Sequence, residues 1–204
     1  MLAVGEGGKS LGVAYTLTEI NLLTTLDVIE SGTMTARLTG SGNLTVRDVL
    51  ELDERTETNG YNDYTGETTV VSTGELTAEA NTLGHGEAYT SKLTVDKDGA
   101  FTNAGNNVIG SLEANGDLEL NATLTIKGGD SNRISDDVSG SGDVILESGK
   151  LTAQNSVKAS GYEGDIVLGV TNGSGAELEL NGLSGFGSGQ IQLANAESDL
   201  RLTN

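Results

Sequence analysis

Short segments of the chain alternate an apolar residue with a small polar or acidic one. Leu44-Thr45-Val46, Glu75-Leu76-Thr77-Ala78, Lys92-Leu93-Thr94-Val95, Asp117-Leu118-Glu119-Leu120, Thr123-Leu124-Thr125-Ile126, Glu177-Leu178-Glu179-Leu180 and Gln190-Ile191-Gln192-Leu193 share this pattern. A period of two sends one side chain inward and the next to solvent, as in a half-buried strand. Residues 67–71 and 144–146 read as further strands. Gly, Asn, Asp and Ser stand between the strands, with Asn21, Asn81, Asn103, Asn121, Asn155, Asn181 and Asn195 at their margins. Gly and Asn tolerate positive φ and suit sharp corners. Only 50–58 is compatible with a helix, and its charges mark it as an exposed loop.

The chain also repeats itself. Gly40-Ser41-Gly42-Asn43-Leu44-Thr45-Val46 returns as Gly140-Ser141-Gly142-Asp143-Val144-Ile145-Leu146. Tyr64-Thr65-Gly66-Glu67 returns as Tyr162-Glu163-Gly164-Asp165. Self-similarity of this kind predicts a stack of like units. Approximate internal repeats fall at 17–115 and 116–204 of a single domain spanning 1–204.

Composition chooses between stacked architectures. Among 204 residues there are 30 Gly, no Pro, no Cys, no Trp and 3% aromatics. An antiparallel sandwich or barrel usually carries more aromatics and must close its edges. Gly and Asn corners around an aliphatic Leu, Val, Ile and Ala core instead predict an all-β parallel β-helix. At roughly 20–25 residues per rung, the chain makes about 8–10 rungs, a rod of roughly 40–50 Å.

One segment resembles a known family. Asn62, Tyr64, Thr65, Gly66, Thr68 and Val70, then Gly74 and Leu76, then Leu83 and Gly84, follow the pattern N-x-Y-T-G-x-T-x-V, G-x-L and a closing L-G. This resembles the passenger-associated transport repeat of type V secretion autotransporters. The match covers about a tenth of the chain, and the second copy keeps only Tyr162, Gly164 and Ile166 with a weak closing element at 181–185. The resemblance implies a right-handed β-helix, part of a secreted, adhesin-like passenger at the bacterial cell surface. It would be held to the outer membrane by a barrel that this sequence does not contain. The expected function is a rigid surface rod that mediates or supports adhesion, cell–cell aggregation or biofilm formation, with a link to virulence; the alternative is a passive stalk, or a segment that aids secretion and folding, with binding elsewhere. The chain is accordingly expected to be a piece of a larger protein. Its first residues, Met1-Leu2-Ala3-Val4-Gly5-Glu6, lack the basic start and apolar run of a signal peptide.

Charge narrows the partners. The formal net charge is -19, from 30 acidic and 11 basic residues. Phosphate neutralisation needs clustered Lys and Arg, so nucleic acid is disfavoured, as is an anionic membrane surface. No run reaches the roughly 20 apolar residues of a membrane span. The expected partners are host cell-surface or matrix molecules, or passengers of the same kind on neighbouring cells. The acidity reads first as solubility, and second as a cation-bridged surface.

Candidate chemistry is sparse. The one histidine, His85, sits between Gly84 and Gly86 and reads as an exposed loop residue. Without Cys or a second His, a zinc site of ordinary type is excluded. Asp96-Lys97-Asp98-Gly99 resembles the opening of a calcium loop but lacks the rest of the spacing and the closing Glu; it reads as a turn. Asp53, Glu54, Asp63, Asp136, Asp137 and Asp165 are acids that stacked rungs could pair, as polysaccharide-cleaving β-helices require. Scattered Arg and scarce aromatics argue against that reading, so no enzyme, catalytic residue, metal or cofactor is expected. The charged stretch 50–62 interrupts the strand rhythm. It reads as a projecting loop, and loops on a rigid scaffold often carry recognition. Glu51, Asp53, Glu54, Arg55 and Glu57 are the candidate interaction residues.

Overall fold

A computed structural model describes residues 17–154, 161–171, 173–181 and 187–203. Asn155 and most of the second closing element, 182–185, lie outside them. The described residues form twenty-five strands of two to six residues and no helix. All strands pair in parallel except the short hairpin of Gly84–His85 with Ala88–Tyr89. The chain is a β-solenoid with three sides.

The first face is a nine-stranded sheet that stacks Leu26–Val28, Leu44–Val46, Thr68–Val70, Leu93–Val95, Leu112–Ala114, Asn132–Ile134, Gly149–Ala153, Ala176–Asn181 and Asp199–Thr203 in chain order. The second face stacks seven strands, from Gly32–Met34 through Phe-containing Ala100–Asn103 to Gly161–Tyr162. The third side starts with Glu19–Leu22 beside Arg37–Gly40. It continues through residues 62–66 and the hairpin, where Asp63 N–H donates to Leu38 O at 3.0 Å and Ser91 N–H to Gly66 O at 3.1 Å. It ends in a five-stranded sheet of Asn107–Ile109, Leu124–Ile126, Val144–Leu146, Ile166–Leu168 and Ile191–Leu193. The nine strands of the first face agree with the rung number expected from the sequence. The turns are uneven: 17 residues separate Phe101 from its neighbour Leu118, and 27 separate Leu151 from Leu178.

Alternation builds the core. Leu44, Leu93, Leu112, Leu151 and Leu178 form one inward column on the first face, and Val46, Val70, Val95, Ala114 and Ile134 form the next. Each buried aliphatic side chain contributes about 1.5–3 kcal/mol. Two expectations are corrected here. The core is not purely aliphatic, because Tyr64, Phe101 and Tyr162 are fully buried inside it. The interruption at 50–62 begins later than its charges suggest, because Val49–Leu52 is a strand with Leu50 and Leu52 inward and Glu51 outward.

The repeated G-S-G segments occupy different sides. Leu44–Val46 lies on the first face and Val144–Leu146 on the third. What the two copies share is one corner and the rung above it. A Cβ on Gly66 would fall 2.1 Å from Gly42 O, and one on Gly164 would fall 2.1 Å from Gly142 O. Thr65 N–H donates to Gly40 O, and Glu163 N–H to Gly140 O, both at 2.8 Å. Asn43 Oδ1 accepts Glu67 N–H, and Asp143 Oδ1 accepts Asp165 N–H, both at 2.9 Å. The duplication therefore records a corner that closes between the third side and the first face in one copy and between the second face and the third side in the other.

Candidate functional site

The motif residues at 62–84 work almost entirely inside the solenoid. Asn62 joins the rung below to the rung above: its Oδ1 accepts Leu38 N–H at 2.8 Å and its Nδ2 donates to Thr82 O at 2.7 Å. Tyr64, Thr68 and Thr90 are fully buried and share hydroxyl hydrogen bonds of 2.6 and 3.0 Å. Thr90 also donates to Gly66 O at 2.6 Å. Burial pushes the Tyr64 phenol up to about 12, and the hydrogen bonds from Thr68 and Thr90 only partly oppose that shift. Val70, Leu76 and Leu83 lie in the core. Gly74 and Gly84 sit where a Cβ would fall 2.3 Å from Val46 O and from Tyr89 Cβ respectively. Thr65 alone points outward. In the second copy, Tyr162 donates to Gly142 O at 2.9 Å. Its phenol is also held up, by burial first and then by the charges of Asp143 and Asp165.

The candidate interaction residues separate into two kinds. Glu51, Asp53, Glu54 and Glu57 are exposed. Arg55 is 3% exposed, so its assignment to an interaction surface is corrected. Its guanidinium donates to Thr35 O, its N–H donates to Ala80 O at 2.9 Å, and desolvation lowers its pKa. Arg55 is thus the plug under the loop. Above it, Asn59 closes a tight turn, with Oδ1 accepting Thr56 N–H at 2.6 Å and Nδ2 donating to Glu54 O at 3.0 Å. His85 is exposed, as expected, but it lies in the hairpin strand Gly84–His85 and not in a loop. Its ring stacks on Tyr61 with centroids 3.8 Å apart, and its Nδ1 lies 2.9 Å from Asn81 Oδ1. Asn81 takes φ 60° and donates to Arg55 O at 2.9 Å, which ties the hairpin to the loop.

The outward rows differ in charge from side to side. On the first face the row runs Asp27, Thr45, Thr69, Thr94, Glu113, Arg133, Thr152, Glu179 and Arg201. Lys92 reaches Glu113 at 2.5 Å and Arg133 reaches it at 3.6 Å, and the Lys92 hydrogen bond lowers the Glu113 pKa. Lys150 bridges Glu177 at 3.1 Å and also Glu179. The second-face row carries Glu51 and Glu119 among Thr33, Thr77, Thr102 and Ser139. The five-stranded sheet has the row Val108, Thr125, Ile145, Val167 and Gln192, with no ionisable group. Beside it, Lys127 pairs with Glu147 at 3.0 Å and with Glu87 of the hairpin at 3.7 Å. That row was hidden from sequence reading because register decides which strands share a face. A partial signal was present: Val144-Ile145-Leu146 and Ile166-Val167-Leu168 lack the polar middle residue of the other strands.

The candidate acids are dispersed. Asp63 pairs with Arg37 at 2.7 Å, and Asp165 belongs to the corner ladder, accepting Gln190 N–H at 2.8 Å. Asp136 and Asp137 approach Asp117, with one oxygen of each within 4.8 Å of the others. Three carboxylates meeting on a chain of 30 acidic residues do not define a chemistry. Asp96-Lys97-Asp98-Gly99 forms a turn, with Asp98 at φ 67° and Gly99 N–H donating to Asp96 O at 2.9 Å. Family profiles, curated proteins and solved structures yield no match to the chain.

Proposed function

We propose that the chain is a rod segment of a cell-surface autotransporter passenger, and that it mediates or supports adhesion and cell–cell aggregation. The observation that carries this reading is the agreement of motif and fold. The residues that resemble the passenger repeat, from Asn62 to Gly84, are the ones that lock three rungs of a β-solenoid together. A chain of locally closed rungs can fold one turn at a time, each against the last, which suits a passenger that emerges unfolded. The outward rows of the first and second faces are left largely to Thr, Glu and ion-paired Lys and Arg. On this reading they carry the contacts.

Display tests the reading. Residues 1–204 are grafted between an export signal and an autotransporter barrel on cells that do not aggregate. Protease-accessible chain at the surface and faster settling or adhesion are expected. With a charge of -19, aggregation is expected to weaken at low ionic strength, where repulsion is least screened. Surface display with unchanged settling and adhesion would make the segment a passive spacer; failure of display would remove the passenger reading.

A further inference from the structure

We propose that Asn59 is a site of spontaneous covalent change, at which the side-chain amide is lost to water through a cyclic imide formed with Gly60, and that the change unties the loop after Leu52 from Glu54. The reaction needs an Asn side chain within reach of the next residue's amide nitrogen, and a next residue with no Cβ to block the approach. The sequence offers Asn59-Gly60, Asn115-Gly116, Asn172-Gly173 and Asn181-Gly182. Asn172 and Gly182 lie outside the described residues. The fold treats the other two pairs differently. Asn115-Gly116 is locked in a corner, where Asn115 N–H donates to Val95 O at 2.8 Å and Asp117 N–H to Gly99 O at 3.0 Å. Gly116 between them is buried, its would-be Cβ 2.2 Å from Gly99 O. Swinging the Gly116 nitrogen onto the Asn115 side chain would break the rung contacts on both sides. Asn59 instead stands exposed on a turn, and Gly60 takes φ 77°. Among the described residues the Gly60 N–H donates to no partner.

The Asn59 amide is also polarised for the reaction. Its Oδ1 accepts Thr56 N–H at 2.6 Å and the Thr56 hydroxyl at 3.3 Å, while its Nδ2 donates to Glu54 O at 3.0 Å. A backbone N–H only donates and a backbone carbonyl only accepts, so these partners fix which end of the amide is oxygen. When the Gly60 nitrogen adds to Cγ, negative charge builds on Oδ1, where two donors already point. The Gly60 proton passes through solvent to Nδ2, the Cγ–Nδ2 bond breaks, and ammonia leaves. Water then opens the imide at either carbonyl, giving aspartate or isoaspartate. The sum is amide plus water to acid plus ammonia, with no oxidant or reductant. Either product carries a carboxylate in place of the amide that donated to Glu54 O. Two acceptors then face each other, and the turn loses a bond that closes it. Isoaspartate further lengthens the main chain by a methylene. The new charge joins the exposed Asp53, Glu54 and Glu57. Its effect on surface contacts rests on the function proposed above; the reaction itself does not.

Ageing the purified full-length chain in heavy-oxygen water at neutral pH tests the proposal. Tryptic cleavage after Arg55 and Lys92 places Asn59 in one peptide, and cleavage after Lys97 and Lys127 places Asn115 in another. Mass spectrometry is expected to find heavy oxygen at Asn59, in aspartate and isoaspartate together. It is expected to accumulate about tenfold faster there than at Asn115, a gap equal to about 1.4 kcal/mol of barrier. In urea, where neither pair is held, the two rates are expected to converge. Equal rates in the folded chain, a gap that persists in urea, or aspartate without isoaspartate overturns the proposed reaction. The untying is read with a glutamyl endopeptidase on the folded chain. Asn59→Asp is expected to be cut at Glu54 and Glu57 faster than the unaged protein, and equal cutting overturns the untying. No cell enters either measurement, so the outcome is independent of whether display and adhesion succeed.

Discussion

Gly164 lies directly over Gly142, so close that a Cβ on Gly164 would fall 2.1 Å from the Gly142 carbonyl oxygen and 2.8 Å from Tyr162 Oη. The backbone oxygen cannot give way without breaking the corner that both copies of the repeat preserve. Gly164→Ala is therefore expected to destabilise the chain by about 2–3 kcal/mol, the scale of overpacking in a close-packed interior. Gly32 has no atom within 4 Å of its would-be Cβ, and Gly32→Ala is expected to stay within about 0.5 kcal/mol. Urea denaturation of the two variants checks the contrast.

Asn132 stands in an otherwise largely aliphatic inward column and serves as a staple. Its Oδ1 accepts Leu112 N–H at 2.8 Å, while Nδ2 donates to Gly128, Gly129 and Lys150 carbonyls at 2.9, 2.7 and 3.0 Å. Asn132→Leu would match the neighbouring leucines in apolarity yet leave buried backbone groups unpaired. A loss of about 2–4 kcal/mol is expected, because each orphaned buried group costs about 1–3 kcal/mol. Thermal or denaturant unfolding reads the loss directly.

Tyr64 links stability to alkaline pH. Its folded pKa is raised from 10.0 to about 12, chiefly by burial. Below the unfolded value both states keep the proton and nothing is lost. Between the two values the unfolded chain releases a proton that the folded chain retains, so stability falls as pH rises through that window. The loss is about 2–3 kcal/mol when the interval is fully crossed. Tyr162 adds in the same direction. Tyr64→Phe is expected to flatten the decline between about pH 10 and 12, relative to its own stability at neutral pH.

Arg55 and Glu57 are two residues apart and are expected to behave differently. Arg55→Ala removes the buried plug and leaves Thr35 O without its donor; a loss of about 1–3 kcal/mol is expected. Glu57→Ala touches an exposed loop position and is expected to stay within about 0.5 kcal/mol. Equal losses would show that the loop is held from outside. Differential scanning calorimetry of both variants makes the comparison.

Strand identity was legible because alternation is local. Leu93, Leu118 and Leu178 sit inward where the period of two placed them. The glycine corners were legible for the same reason. What lay beyond the sequence was register between rungs, since turns of 17 to 27 residues shift a repeat from one side to another. For that reason the G-S-G copies could be found but not placed. The candidate loop was legible only as an interruption. Arg55 looked like its acidic neighbours, and only the course of the chain under Ala80 and over Thr35 turns it inward. Asn103 read as a polar residue at a strand margin, though it is buried and its Nδ2 donates to the Ala122 carbonyl of the adjacent rung.

Every corner, staple and outward row of the molecule depends on rungs stacked in register. The most direct test is a pulsed electron spin resonance distance between nitroxides at Thr45→Cys and Thr152→Cys. These two positions share one outward row, five rungs apart, through Thr69, Thr94, Glu113 and Arg133. At ~4.8 Å per rung the expected separation is about 24 Å. A distance below about 15 Å or above about 35 Å would contradict the stacked register that this spacing requires.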